Sequence, residues 1–264
     1  MKARHLPIAL IASLLTAGSA TAGTTSVGPV AEGPTMTHTT SNDWELTLGL
    51  YFWAAGLDGD IGAAGSVAAV DIPFSDILDS LDMTVMGMVE ARKGRWIFQL
   101  EGLYIRNSVK GLADNGTVNT TAKLTAKTTR IAPVVGYRLI ENDCTKLDLV
   151  AGITYYNISN KIQTYGPAAV RGVKANDDWI DPVIGLRLNQ RLSERWSLQV
   201  RGDVGGFGVK SDFLWQALGL VGYNFTDSTV GYVGYRHAAV DYQNGGFIYD
   251  VATSGPIMGV AITW

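Results

Sequence analysis

The sequence predicts an all-β protein: a single antiparallel up-and-down transmembrane β-barrel of about ten strands, with a short helix in the first extracellular loop. Three observations carry this. Apolar residues alternate with polar or small ones at a period of two, over segments as long as the roughly 9–11 residues that a tilted spanning strand needs. The 264 residues include 31 glycines, 7 tryptophans and 11 tyrosines at only 17% charge, and no stretch past the N-terminus offers the ~18 apolar residues of a spanning helix. Last, Tyr249 to Trp264 alternates up to its final residue: Ser254, Pro256, Met258, Val260, Ile262 and Trp264 share one face, and Gly255, Ile257, Gly259, Ala261 and Thr263 the other.

In chain order, residues 1–22 read as a secretory signal peptide. Lys2 and Arg4 give a basic start, Leu6 to Ala17 an apolar run too short to span, and Ala20–Thr21–Ala22 a small-residue cleavage site. Residues 23–43, rich in Thr, Ser and Gly without periodicity, read as a flexible periplasmic leader. Residues 44–264 form the barrel. Trp44, Leu46, Leu48, Leu50 and Phe52 alternate with Glu45, Thr47, Gly49, Tyr51 and Trp53. Two further alternating segments flank Lys93–Gly94, and seven more cover about 122–140, 146–160, 178–191, 195–208, 212–225, 229–242 and 249–264. Short turns are expected at Lys93–Gly94, 141–145, 192–194 and 226–228. Longer loops are expected near 57–82, 109–120, 160–177 and, less sharply, at 208–211 and 243–248. Four turns and five loops make ten strands, an even number that returns both termini to the periplasmic side.

Charge tests this parity. If the apolar face meets lipid, charges must occupy the other face, because an arginine facing lipid at mid-membrane costs about 2–4 kcal/mol. Glu90, Arg92, Glu101, Arg130, Arg138, Asp148, Asp181, Arg187, Arg201, Asp203 and Arg236 all fall on the inward parity. Five acids and six arginines nearly balance, which predicts a paired ladder in the lumen. Trp44, Trp96, Tyr137, Trp196, Tyr223 and Trp264 fall near strand ends, where an aromatic girdle belongs. Pro133, Pro182 and Pro256 fall inside strands and each removes a ladder donor, so bulges or strand ends are expected there.

Few constellations carry chemistry. Gly205 to Ser211 (GGFGVKS) lacks the glycine before Lys-Ser and a following helix, so glycines at a strand end explain it better than a phosphate loop. Asp58–Gly59–Asp60 opens like a calcium loop but lacks the later ligands, so a solvated turn is expected and no metal or cofactor. His237 is the one histidine in the barrel portion. With Asp241, Asp250 and Ser254 nearby it offers an enzymatic alternative, though no motif surrounds it and a rim histidine is the simpler reading. Ser75, Asp76, Ile77, Leu78 and Leu81 define a short amphipathic helix, Ser75 being its N-cap. It either lies on the rim or tucks into the barrel mouth as a gate. The lone Cys144 is a turn residue and excludes a disulfide-stapled fold.

Five segments together carry a family resemblance: Tyr51 to Gly59 (YFWAAGLDG), Phe74 to Leu78 (FSDIL), Asp181 to Arg187 (DPVIGLR), Gly202 to Gly208 (GDVGGFG) and Gly255–Pro256. In these the chain resembles a poorly characterised family of bacterial outer-membrane β-barrel proteins, which implies the wider OmpA-type barrel class. The resemblance implies that Trp264 ends an insertion signal read by the barrel-insertion machinery. It also implies outer-membrane lipids and lipopolysaccharide as partners, and it brings no substrate. No nucleic-acid partner is expected. A ten-stranded lumen that must also hold Tyr51, Trp53, Met86, Met88, Tyr156 and eleven charges has room for little else. The expected function is therefore a non-enzymatic barrel, closed or weakly conducting, with a structural or envelope-interaction role. A gated narrow channel for small solutes or ions is the alternative, and a rim enzyme using His237 the second.

Overall fold

The computed structural model describes residues 43–63, 66–79, 81–114, 119–165 and 170–264. The expected signal peptide, and the leader as far as residue 42, lie outside the described residues. The elements are β1 (Glu45–Trp53), β2 (Gly56–Ala63), β3 (Ser66–Ile72), α1 (Phe74–Asp79), β4 (Leu81–Lys93), β5 (Trp96–Asp114), β6 (Asn119–Glu141), β7 (Thr145–Tyr165), β8 (Val170–Arg191), β9 (Trp196–Gly205), β10 (Ser211–Asn224), β11 (Thr229–Asn244) and β12 (Phe247–Thr263).

Strands β4 to β12 pair antiparallel in sequence order, and β1 closes the ring by pairing with both β4 and β12. Leu50, for instance, lies between Gly87 and Val260. Closure extends to the chain end, where Leu46 and Trp264 exchange two backbone hydrogen bonds of 2.9 Å. The ten expected strands thus form a closed barrel, which alone leaves no edge to aggregate.

Two further strands were not expected. After Ala54–Ala55 the chain continues along β12 in the same register as β2, which pairs upward from Ser254↔Gly56 to Ile248↔Gly62. β2 then turns back as β3. The predicted loop 57–82 is therefore a β-hairpin plus α1. Leu57 and Ile61 pack inward while Asp58 and Asp60 face out, a period-two pattern short enough to pass as a turn. Gly59 makes the close pairing with β12 feasible: its φ is +139°, and a Cβ there would lie 2.2 Å from the Asp250 carbonyl oxygen.

At the end bearing Glu45 and Trp264 the turns are short. Asn142 Oδ1 accepts the amides of Cys144 (3.0 Å) and Thr145 (2.7 Å), an Asx turn that leaves Cys144 exposed. At the opposite end two expected longer loops prove tight. Gly245–Gly246, with φ of 53° and 87°, makes the two-residue turn that matches strand twist, where 243–248 was expected to be longer. Gly206–Phe207–Gly208 has three successive positive φ values and leads directly into strand β10, so no helix N-terminus exists there for a phosphate. Elsewhere strands replace loops: β5 to β8 run on through much of 109–120 and 160–177, forming a wall taller than the rest of the rim.

The prolines sit where the ladder changes. Pro182 adjoins Val183, the last β8 residue paired with β9. Pro256 lies between the β12 residues paired with β2 and those paired with β1. At Pro133 the β6–β7 ladder lapses between Ile131 and Val134.

Candidate functional site

Alternation fixes which side chains enter the lumen, and the interior is filled in layers. Nearest the short turns, Arg187 on β8 reaches Glu90 on β4, four strands away around a ring of ten, at 2.5 Å. Glu90 also binds Arg92. Arg187 continues to Asp148 (3.0 Å), Asp148 to Arg138 (3.0 Å) and Arg138 to Glu141 (2.9 Å). This chain of alternating charge links β4, β8, β7 and β6 across the barrel.

The next layer centres on Glu101. It accepts from Arg236 (2.6 Å), Arg130 (3.1 Å) and the Tyr51 hydroxyl (2.6 Å). Arg236 also donates to Gln216 Oε1 (2.6 Å), whose amide donates to Asp203. Asp203 binds Arg201 (2.8 Å), and Arg201 donates to Gln99 (2.9 Å). Six strands are tied into one network. A charge removed from water survives only when paired and hydrogen-bonded like this.

Ten of the eleven predicted lumen charges join these two networks. Asp181 does not. Fully buried, it accepts from the Ser211 amide (2.9 Å) and hydroxyl (2.5 Å), and it fixes the start of β10 without a cation.

Around the second layer lies an apolar patch of Trp53, Ala55, Met86, Leu103, Leu220 and Ile257, with the Arg236 guanidinium 4.8 Å from the centre of the Trp53 ring. Nearer the tall rim the lumen is aromatic. Tyr156, Trp179 and Tyr242 stack in sequence, with centroids 5.1 and 3.8 Å apart, and Phe247 and Tyr249 close around them. Tyr242 is held from above by its bond to Asp177 (3.0 Å). Of this layer only Tyr156 was anticipated. Trp179 and Tyr242 share the inward parity of Asp181 and Arg236, so the signal was present once those strands were carried past the charges. A cavity of about 320 Å³ lies among the charged layers and is lined down to Glu45, Lys146 and Thr263 at the short-turn end.

The outer surface is the inverse. Leu48, Leu50, Val85, Val89, Leu100, Ile184, Val200, Val233 and Met258 are all exposed. Aromatic pairs ring its lower edge: Trp96–Tyr137 at 5.1 Å, Trp196–Tyr223 at 4.9 Å and Trp44–Phe98 at 6.0 Å, with Trp264 on the same margin.

His237 belongs to this outer wall, at mid-strand rather than on the rim. Its Nδ1 shares a 2.5 Å hydrogen bond with Ser254 Oγ, and its ring lies 4.6 Å from Trp215. Asp241 and Asp250 face each other four residues further along β11 and β12, so neither is paired in register with His237 or Ser254. Helix α1 is not in the mouth. Phe74 packs edge-on against outward-facing Phe52 at 6.0 Å, and no α1 residue is buried. Leu81, expected on the helix, begins β4. The helix is too short and its apolar side too small to displace the aromatic side chains that fill the lumen. No metal-binding group of His, Cys, Asp and Glu occurs among the described residues.

No protein-family model and no curated protein matches the sequence. Solved structures similar to it include the translocator domain of autotransporter NalP from Neisseria meningitidis, at 11% identity, covering 85% of this chain and 89% of that one, with a TM-score of 0.43. The transport unit of autotransporter AIDA-I from Escherichia coli matches at 9% identity, 86% and 91% coverage and a TM-score of 0.40. Ail, the attachment invasion locus protein of Yersinia pestis, matches at 10%, 84% and 98%, and 0.36. Similarity this distant transfers no activity.

Proposed function

We propose that the protein is an integral outer-membrane barrel, closed along its axis and non-enzymatic, with a structural or envelope-interaction role. The observation that carries closure is the stacking of two cross-lumen ion-pair networks beneath a plug of Tyr156, Trp179 and Tyr242. Membrane residence is supported by the exposed aliphatic belt and its aromatic margin, because a water-soluble barrel rarely exposes a contiguous apolar surface beyond a few hundred Å². The short turns and Trp264 then face the periplasm, with Trp264 ending the segment offered to the insertion machinery. Outward-facing Asp60, Asp250 and Asp241 form a row across β2, β12 and β11, on the level of lipopolysaccharide and its bridging divalent cations.

Purified protein in a planar bilayer tests this reading: the expected trace shows no large steady conductance, and a stable open pore overturns it. The periplasm-side cavity favours a gated narrow channel as second reading, since it is already half of a path. Brief openings at high voltage distinguish that case. For the absence of catalysis, His237→Ala is expected to leave phospholipid and ester hydrolysis by purified protein at background. A hydrolytic rate that vanishes with the substitution overturns it.

A further inference from the structure

Among the described residues, the wall has a stretch low on the rim where neighbouring strands are not joined in a ladder. Below Gly87, β4 is paired with β1; above it, Leu81 to Met86 pair with β5 alone. β3 pairs with β2 alone, and β3 and β4 share no ladder among the described residues. Register explains the break. β1 and β2 follow β12 as one uninterrupted strand, from Thr47↔Thr263 to Gly62↔Ile248, and β3 and β4 lie end to end along its other edge, both running with β12. Between Leu57↔Ile72 and Leu50↔Gly87, residues 51–56 face residues 81–86 without a ladder among the described residues. The chain between Ile72 and Leu81 leaves the sheet there and carries α1, and a helix offers an open edge no ladder partner.

Both sides of this seam are apolar. Outside lie Phe52, Met83 and Val85, the last two more than half exposed. Inside lie Trp53, Ala55, Met86 and Leu103, the greasiest part of a lumen otherwise crossed by ion pairs at this depth. No residue of the helix is buried: Phe74 stands on Phe52 and Leu78 is 48% exposed. Segments that bury little are the first to open. Charge sorts what could pass: Asp71, Asp76 and Asp79 are all exposed on or beside the helix, and their field repels an anionic head group.

We propose that the unpaired stretch between β1 and β4, where residues 51–56 face residues 81–86, is a lateral portal, with α1 as its door, admitting uncharged single-chain hydrocarbon compounds of the alkane or alkanol class from the outer leaflet to the Trp53–Met86–Leu103 patch. Resting on the membrane reading above, it adds a route through the wall to a barrel closed along its axis.

The test uses hexadecanol carrying a diazirine near its chain end, with diazirine palmitate as the anionic counterpart, added to the full protein in phospholipid vesicles. After illumination, peptide mass spectrometry locates the adducts. Hexadecanol is expected on inward-facing Met86 and Leu103 as well as on outward-facing Val89 and Leu48, and palmitate on the outer residues only. In a Cys144→Ser background, Phe52→Cys and Phe74→Cys bridged by a bismaleimide are expected to reduce the inner adducts to background and leave the outer ones. Outer adducts without inner ones overturn the portal but not the membrane reading, whereas the absence of both overturns the two together. Inner adducts that persist in the bridged protein place entry elsewhere and overturn the assignment. Equal inner labelling by palmitate overturns the selectivity against anions.

Discussion

Glu101 and Asp181 show two ways of keeping a carboxylate inside a barrel. Glu101 is shared by Arg130, Arg236 and the Tyr51 hydroxyl, whereas Asp181 accepts an amide and a hydroxyl from Ser211. Removing Glu101 strands two arginines at once. Glu101→Ala is therefore expected to cost about 3–5 kcal/mol, the range for breaking a buried pair from one side. Glu194→Ala, in an exposed turn, is expected to stay within about 0.5 kcal/mol. Urea titration of the folded, heat-modifiable gel band measures both, and equal small effects would mean that the lumen is wet enough to solvate the orphans. These charges were legible as lumen residues because parity alone assigns a face. Their partners were not, because Arg187–Glu90 and Arg201–Gln99 cross between strands four apart in the ring, and no local spacing encodes that distance.

At the level of elements, the ten barrel strands were readable because each carries a full period-two pattern against lipid. The β2–β3 hairpin was hidden by its brevity and its aspartates, and the Gly245–Gly246 turn by the length assumed for loops at that end. The helix was found by its apolar spacing, but Ser75, expected as its N-cap, lies inside α1 one residue past Phe74, and the place of the helix was misjudged. Lying on the wall or filling the mouth depends on how β3 and β4 register on the β1–β2 strand, which the loop's own residues do not carry. Gly59 tests whether the hairpin is an addition to a self-sufficient barrel. Gly59→Val drives a Cβ into the Asp250 carbonyl and demands a φ that a β-branched residue avoids. The expected result is a hairpin detached from β12: new protease cleavage within residues 56–72 while the ten-strand remainder keeps its heat-modifiable mobility. Loss of the folded band altogether would show that the ring needs the hairpin to close.

At the scale of the whole barrel, the proposed closure along the axis rests on layers in series, and series closure makes a definite prediction. The aromatic plug and the two ion-pair networks lie at different depths of one lumen, so conductance is expected only when every one of them is open. Trp179→Ala with Tyr242→Ala removes the stacked rings but leaves Arg187–Glu90 and Arg236–Glu101 spanning the lumen beneath. That double variant is expected to conduct no more than the parent. Replacing Phe74 to Asp79 with a glycine–serine stretch is likewise expected to leave axial conductance unchanged, since none of those side chains is buried in the lumen. Adding Arg187→Ser and Glu90→Ser to the aromatic double variant removes the first crossing as a neutral pair: Asp148 keeps Arg138, and Arg92, which loses Glu90, is partly exposed. It joins the existing cavity to the bulk on one side and leaves the Glu101 network as the last barrier, so conductance is expected to remain low and become sensitive to Glu101→Gln. Bilayer recordings of the parent and these variants decide the order. A large steady current from the aromatic variant alone would mean that the ion pairs part readily and that the rings are the sole gate. Current from the helix replacement would return α1 to the axis of the pore.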